Sequence, residues 1–224
     1  MCASPPLRSI VTDVTGRLRV TRKFLDEVYT LDESAKGTEQ LYTDWAASYD
    51  AEVAENGYAT PQRCAQALAE CVEDLGQPLI DIGCGTGLAG VAFRAAGFQT
   101  IDGVDLTPAM IEKARARGVY RDIALGRVED DAPFEAGAYT IAAAVGLFSP
   151  SHAPASTIDA VMGALPKGGR FVFSLNDHAL AERAYEGRVM SWIDSGGAQC
   201  LFREHGDHLP GQDIGSVVYV LGKN

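Results

Sequence analysis

The stretch LIDIGCGTG, residues Leu79–Gly87, decides the fold of this chain. Its opening residues have the composition of a buried strand, and glycines then follow at alternate positions, at Gly83, Gly85 and Gly87. A helix is predicted directly after this loop. A strand that leads through glycines into a helix lets a ligand lie against main-chain N–H groups and the positive end of the helix dipole. The segment therefore predicts a nucleotide-like cofactor at the carboxyl end of a strand.

Signals for strands and helices alternate along the chain, which is typical of a parallel sheet covered on both faces. Strands are predicted at Leu79–Ile82, Thr100–Val104, Asp122–Leu125, Thr140–Val145 and Arg170–Leu175. Helices are predicted from Thr60 to just before Gly76, and at about Leu88–Ala96, Thr107–Arg117 and Ala155–Leu165. The closing segment AQCLFREHGDHLPGQDIGSVVYVLGK contains two β-runs joined by turn residues, which predicts an antiparallel pair at one edge. We therefore predict an α/β fold with a doubly wound, mostly parallel sheet of seven strands and helices on both faces.

The length of 224 residues suits one such domain with a short extension before it. Residues 1–40 carry weak periodicity and predict a helical extension, with one short helix through Val20, Phe24, Leu25 and Val28. Residues 41–224 are predicted to form the main domain. No apolar run reaches the length of a membrane span, and the N-terminus lacks the apolar stretch of a secretory signal. We therefore expect a cytoplasmic protein with no membrane partner.

Charge and cysteine content exclude several classes of function. The net charge of -11 makes the surface repel phosphate backbones, so no nucleic-acid partner is expected. The five cysteines are an odd number without zinc-binding spacing, which argues against a disulfide framework and a metal site. His205 and His208, in the segment EHGDH, are predicted to lie in a solvated turn, so we predict no bound metal. The oligomeric state is left open.

Two acidic residues bear on the choice of cofactor. The segment Gly85–Gly90 also matches the dinucleotide fingerprint G-x-G-x-x-G, which leaves NAD open. Asp81, however, lies inside the strand before the glycines, where its negative charge would disfavour a pyrophosphate and favour a cationic ligand such as S-adenosylmethionine. Asp105 ends the next strand, about 20 residues beyond the loop, where an acid can accept both ribose hydroxyls of either cofactor.

Three motifs together carry a resemblance to a known family. LIDIGCGTG, VDLTPAM and LPKGGRFVFS occur in the order found in class I, Rossmann-like S-adenosylmethionine-dependent methyltransferases. The segments YTDWAASYD and GYATP are similar to the small-molecule-type members related to the Williams-Beuren chromosome-region methyltransferase. The resemblance covers about Tyr42 to Lys223 and implies a methyltransferase with S-adenosylmethionine as its cofactor.

The resemblance also implies which residues bind the cofactor. One group would hold the methionine part, and comprises Asp81, Gly83, Cys84, Gly85 and Gly87. A second group would contact the adenosine and comprises Asp105 at the ribose, Leu106 and Met110 at the adenine, and Val128 and Glu129, with Asp130 as an alternative, at the adenine amino group. Val145 and Gly146 would face the transferred methyl group.

An aromatic segment precedes the first helix of the sheet. The resemblance implies that residues 41–60 fold over the cofactor as a lid, with Tyr42, Trp45 and Tyr49 toward it. Aromatic faces beside a sulfonium are favourable by about 0.5 to 2 kcal/mol. The alternative is that these aromatic residues only anchor an amphipathic helix.

Residues that follow the fourth and fifth strands are candidates for catalysis and substrate binding. His152 is the first candidate for a general base and His178 the second, although both could be ordinary loop histidines. The candidates for substrate contacts are Phe148, Asn176 and Asp177. Methyl transfer needs alignment more than dedicated catalytic groups, and a base only for a protonated nucleophile.

The sequence thus predicts a methyltransferase that acts on a small molecule. Two alternatives stay open, an NAD-dependent oxidoreductase and a non-catalytic module of methyltransferase fold that binds the cofactor.

Overall fold

A computed structural model describes residues 9–12, 18–21, 45, 48–126, 132–150 and 152–224. The elements in chain order are β1 Ser9–Thr12, β2 Leu18–Thr21, α1 Tyr49–Glu55, α2 Thr60–Glu70, β3 Leu79–Ile82, α3 Leu88–Ala95, β4 Ile101–Asp105, α4 Pro108–Ala116, β5 Asp122–Leu125, β6 Ile141–Phe148, α5 Ser156–Ala164, β7 Arg170–Asn176, α6 Asp177–Ala181, α7 Arg183–Asp194, β8 Ala198–Leu209, a 3-10 turn Pro210–Gln212 and β9 Ile214–Lys223.

The main sheet has the order β5-β4-β3-β6-β7-β9-β8 among the described strands. Strands β3 to β7 run parallel to one another, and β9 lies antiparallel between β7 and β8. This confirms the predicted seven-stranded α/β fold with an antiparallel edge pair. Strands β1 and β2 pair only with each other within this description, as a two-stranded antiparallel sheet.

Three local predictions were wrong. Val20 lies in strand β2 and not in a helix, while Phe24, Leu25 and Val28 fall outside the described residues. The segment that contains His205 and His208 is part of the long strand β8, and the chain turns only at the 3-10 turn that follows. Continuous pairing with β9 keeps this polar segment extended. The two helices between β7 and β8 were not predicted, because the first is short and the second combines a weak apolar stripe with an internal glycine.

The central strands are buried on both faces, which fixes the two layers of helices around them. Phe173 of β7 and Tyr219 of β9 stack with ring centroids 5.3 Å apart in the cluster that includes α5 and α7. Val172 and Val218 point to the opposite face and pack with α2 and α3. The alternation of side chains across the sheet thus builds both cores. Both leave the carboxyl ends of β3, β4 and β6 together at one edge.

Gly87 is the point at which α3 and α4 come closest. It precedes α3 with a φ of 89°, a left-handed conformation that favours glycine. A Cβ atom there would lie 3.2 Å from the Cα of Ala114 and 3.0 Å from the ring of Tyr120. Both the backbone angle and the packing therefore exclude a side chain at this position.

Replacing Gly87 by Ala should destabilise the protein more than replacing Gly118. Gly118 also has a positive φ, but no heavy atom lies within 4 Å of a Cβ placed there. We expect Gly118→Ala to cost about 1 kcal/mol through backbone strain alone. Gly87→Ala should cost a further 1 to 3 kcal/mol, roughly, through overpacking. Urea denaturation without ligand measures both, and equal losses would contradict the packing argument.

Candidate active site

The glycine loop after β3 turns back on the end of β4 and leaves one open face. The N–H of Gly83 donates to the carbonyl of Val104 at 2.8 Å, which ties the loop to the sheet. A Cβ atom at Gly83 would lie 2.6 Å from Cδ1 of Leu147, whereas one at Gly85 would meet only the Gly83 carbonyl at 4.0 Å. Protein atoms thus explain the glycines at 83 and 87, and open space for a ligand is left in front of Gly85.

Asp105 connects β4 to this loop. Its Oδ2 accepts the N–H of Gly85 at 2.8 Å and its Oδ1 accepts the N–H of Thr107 at 2.8 Å. Burial raises the pKa of this carboxyl above its usual value, and the backbone donors oppose that rise. A carboxylate keeps lone pairs for further donors after these two bonds. Leu106 beside it is 49% exposed, while Met110 is buried in α4.

Asp81 is a fully buried carboxyl beneath the loop. Its Oδ2 accepts the hydroxyl proton of Tyr120 at 2.7 Å, whereas its Oδ1 has no hydrogen-bond partner among the described residues. Burial raises the pKa of Asp81 to about 7, Asp105 raises it further, and the Tyr120 hydrogen bond lowers it. Burial also raises the pKa of the neighbouring Cys84 thiol, so that thiol is not a nucleophile at neutral pH.

The burial of Asp81 predicts that its removal stabilises the protein at alkaline pH. The pKa is near 3.8 by default and about 7 in the folded protein, so the native state retains a proton that the unfolded state loses. Stability therefore falls as the pH rises from about 4 to about 7. Asp81→Asn keeps an acceptor for Tyr120 and should be more stable than the parent by about 1 to 4 kcal/mol at pH 8, but much less so at pH 4.5. Chemical denaturation at the two pH values measures this; an equal difference at both would rule out the ionisation of Asp81 as the cause.

Helix α1 is fastened to the glycine loop by polar contacts that the sequence analysis did not identify. Oδ1 of Asp50 accepts the hydroxyl proton of Thr86 at 2.6 Å, and Oδ2 pairs with Arg117 at 2.6 Å. Trp45 is buried and packs edge-on against Tyr49, with centroids 4.7 Å apart. Both aromatic residues belong to a small cluster on this side of the site. Their packing fits the anchoring interpretation, and the polar contacts place α1 beside the loop, as a lid requires. Tyr42 lies outside the described residues.

The end of β6 lies under a tyrosine that was also missed. Val145 is buried, and Gly146 has a φ of 66° and donates its N–H to Oγ of Ser174 at 2.9 Å. A Cβ atom at Gly146 would collide with the hydroxyl of Tyr58. The Tyr58 ring meets the ring of His208 edge-on at 5.3 Å. Tyr58 therefore covers the backbone that was predicted to face the methyl group.

The three residues predicted to contact substrate have structural roles. Phe148 is 1% exposed and packs between Phe173 and Tyr185 in the core, which is at odds with a substrate contact. The side chain of Asn176 accepts the N–H of Ala179 at 2.9 Å and caps α6. Asp177 accepts the N–H of Gly215 at 2.7 Å. The sequence places all three after a strand, but only the fold shows which way their side chains turn.

The two predicted base candidates differ in environment. His152 is partly buried, its Nδ1 is hydrogen-bonded to Oγ of Ser149, and burial lowers its pKa to about 4. It is therefore neutral at pH 7 and has the form that can accept a proton. His178 is exposed on α6. Val128, Glu129 and Asp130 fall outside the described residues.

The two other predicted-turn histidines do not form a metal site. His208 is buried with Nδ1 2.7 Å from Oγ1 of Thr60, and burial lowers its pKa to about 4. His205 is exposed, with Nε2 3.5 Å from Asp177. Within the described ranges, no group of three or more metal-ligating side chains is brought together. None of the described helices combines the length and the apolar character needed to cross a bilayer.

The sheet order, the open glycine loop and Asp105 at the end of β4 define a class I, Rossmann-like methyltransferase fold. A family model described as a methyltransferase domain matches residues 56–217. The chain therefore belongs to this methyltransferase family. The match confirms the predicted family, and two structural neighbours with bound S-adenosylhomocysteine agree with the predicted cofactor, S-adenosylmethionine.

Curated relatives have related names but are longer. Methyltransferase-like protein 27 of Homo sapiens is 32% identical over 133 residues, which are 57% of this chain and 54% of that protein. The 18S rRNA (guanine-N(7))-methyltransferase of Mus musculus is 39% identical over 66 residues, 29% of this chain and 23% of that protein. The chain thus matches about half or less of the length of these relatives.

Solved structures share the fold at low identity. A chain from the complex between the Haloferax volcanii Trm112 methyltransferase activator and a candidate methyltransferase has a TM-score of 0.62 at 17% identity, and the match covers 81% of this chain and 97% of that chain. A methyltransferase of Geobacter sulfurreducens, solved with S-adenosylhomocysteine, has a TM-score of 0.51 at 17% identity, with 75% and 92% covered.

Proposed function

We propose that this protein transfers a methyl group from S-adenosylmethionine to a small-molecule acceptor. The observation that carries the proposal is the contact between Asp105 and Gly85, which brings a ribose-binding carboxylate to an open glycine loop. Asp81 adds a buried carboxylate oxygen without a partner among the described residues. Such a negative site suits a cationic cofactor better than a pyrophosphate, which argues against the NAD alternative.

The cofactor would extend from the glycine loop to the ends of β4 and β6. Its methionine part would be held by Asp81 and the loop residues Gly83, Cys84, Gly85 and Gly87. Its adenosine would be held by Asp105, Leu106 and Met110, with Val128 and Glu129 as further candidates. The lid aromatics Tyr42, Trp45 and Tyr49 and the strand-end residues Val145 and Gly146 would complete the site. Asp50 supports this arrangement, because it fastens α1 to the loop.

S-adenosylmethionine supplies an activated methyl group when bound, so the protein's task is chiefly to align the acceptor and exclude water. Alignment contributes about 7 to 11 kcal/mol to such reactions. His152 would accept the proton of an O–H or N–H acceptor, since it is neutral at pH 7 and lies in the loop after β6. His178 is the second candidate.

The acceptor is assigned to small molecules on the grounds of charge and family resemblance. The net charge of -11 disfavours a phosphate backbone. Relatives named for 18S rRNA and for ribosomal protein L11 methylation make RNA or protein the second candidate class. A non-catalytic module that only binds the cofactor is the remaining alternative.

Cofactor binding should depend on Asp105. S-adenosylmethionine and S-adenosylhomocysteine should raise the thermal stability of the parent protein, whereas NAD and NADP should not; a ligand at 100 times its Kd adds about 2.7 kcal/mol. Asp105→Ala should weaken S-adenosylhomocysteine binding by about 10- to 100-fold, because hydrogen bonds to a charged group contribute about 1.5 to 3 kcal/mol. Asp122→Ala, at the opposite end of the neighbouring strand, is the matched control. Unchanged affinity in Asp105→Ala would refute the ribose contact.

Turnover should be found with small acceptors and should depend on His152. A screen with methyl-labelled S-adenosylmethionine would offer amines, phenols and carboxylic acids beside ribosomal RNA and a protein extract. If an O–H or N–H acceptor is found, His152→Ala should lower kcat by about 100-fold or more and leave the Kd for S-adenosylhomocysteine unchanged. Labelling of RNA or protein alone would overturn the acceptor class, and full activity of the variant would remove His152 from the mechanism.

A further inference from the structure

Tyr120, in the turn between α4 and β5, lies directly beneath the glycine loop. Its hydroxyl donates to Oδ2 of Asp81 at 2.7 Å and accepts the N–H of Gly90 at 3.2 Å. A Cβ atom at Gly87 or Gly103 would approach its ring to 3.0 or 3.2 Å, and one at Gly90 would overlap it. The missing side chains at these glycines create the space that the ring fills. Tyr120 thus joins β3, α3 and β4 at one point.

The charges around Asp81 make this hydrogen bond important. The titratable groups that face it are Asp105 on β4, Cys84 in the glycine loop, Cys64 on α2 and Tyr120. None of these groups is a cation. Among the described residues, Tyr120 is the one side chain that donates a hydrogen bond to Asp81.

Building on the proposed function, we propose that Tyr120 is a positioning residue that keeps Asp81 ionised and thereby lets the site prefer cationic S-adenosylmethionine to its product S-adenosylhomocysteine. The two ligands share the adenosine and the amino-acid group. They differ by one methyl group and by the positive charge on sulfur. A buried carboxylate attracts that charge more strongly than an exposed one, because less water screens it.

Ionisation of Asp81 is balanced near neutral pH. Burial raises its pKa to about 7, and the hydrogen bond from Tyr120 opposes this rise by stabilising the ionised form. As the pH falls through about 7 in the free protein, Asp81 takes up a proton and the preference for S-adenosylmethionine declines. Without the Tyr120 hydroxyl, the same decline should occur at a higher pH.

The test is calorimetric titration of both ligands between pH 5.5 and 9 with four proteins. In the parent protein, the ratio of the Kd for S-adenosylhomocysteine to that for S-adenosylmethionine should rise with a midpoint near pH 7. In Tyr120→Phe, which keeps the ring and its packing, the midpoint should move up by about one pH unit. The ratio should therefore fall several-fold at pH 7 and recover at pH 9.

Two further variants separate the electrostatic role from a structural one. Tyr139→Phe is the matched control, because the Tyr139 hydroxyl donates to Asp102 at 2.8 Å at the other end of β4; it should behave like the parent. Asp81→Asn retains only the pH dependence that comes from the ligands, and its ratio should stay low. This variant also keeps the test decisive if Tyr120→Phe does not fold.

Each outcome has a distinct meaning. A midpoint that does not move in Tyr120→Phe, or a ratio that still changes in Asp81→Asn as in the parent, would overturn the role of Tyr120 while leaving the methyltransferase proposal intact. Failure of the parent protein to bind either ligand would overturn both. An upward shift in Tyr120→Phe together with a flat ratio in Asp81→Asn would establish the inference.

Discussion

The hydrogen bond from the N–H of Gly85 to Oδ2 of Asp105 is the interaction on which the site depends. It joins the loop after β3 to the end of β4, so that the middle glycine presents its open face beside a carboxylate. The left-handed backbone of the loop makes this approach available, and parallel pairing of β3 with β4 sets its register. Without this bond, the glycines would form a turn but not a cradle for a ligand.

A second constraint is the concentration of negative charge at the same place. Asp81 and Asp105 are both removed from water, and each raises the free energy of ionising the other. Folding alone would favour apolar residues here, since a buried carboxylate without a cation destabilises the native state. The arrangement becomes understandable if a cationic ligand completes it, and stability is then sacrificed at the point where binding takes place.

The strands and their order of appearance were predictable because each depends on local pattern. Leu79–Ile82 and Asp122–Leu125 have the predicted limits, and the other parallel strands differ by one to three residues at their ends. Predictions failed where long-range contacts decided the result. Phe148 follows the same strand signal as Val145, yet its ring turns into the core between β7 and α7. The polar segment around His205 stays extended because β9 pairs with it, and no local signal reports that partner.

The sequence by itself determined the class of fold, the glycine loop and the acids at the ends of two strands, because these features are encoded in periodicity and in residues that permit unusual backbone angles. The tertiary structure decided which side chains meet. Tyr120 reaches Asp81 across 39 positions in the chain, and Asp50 reaches Thr86 across 36. Such contacts arise from packing of elements that are remote in sequence, so a single chain of letters contains no local sign of them.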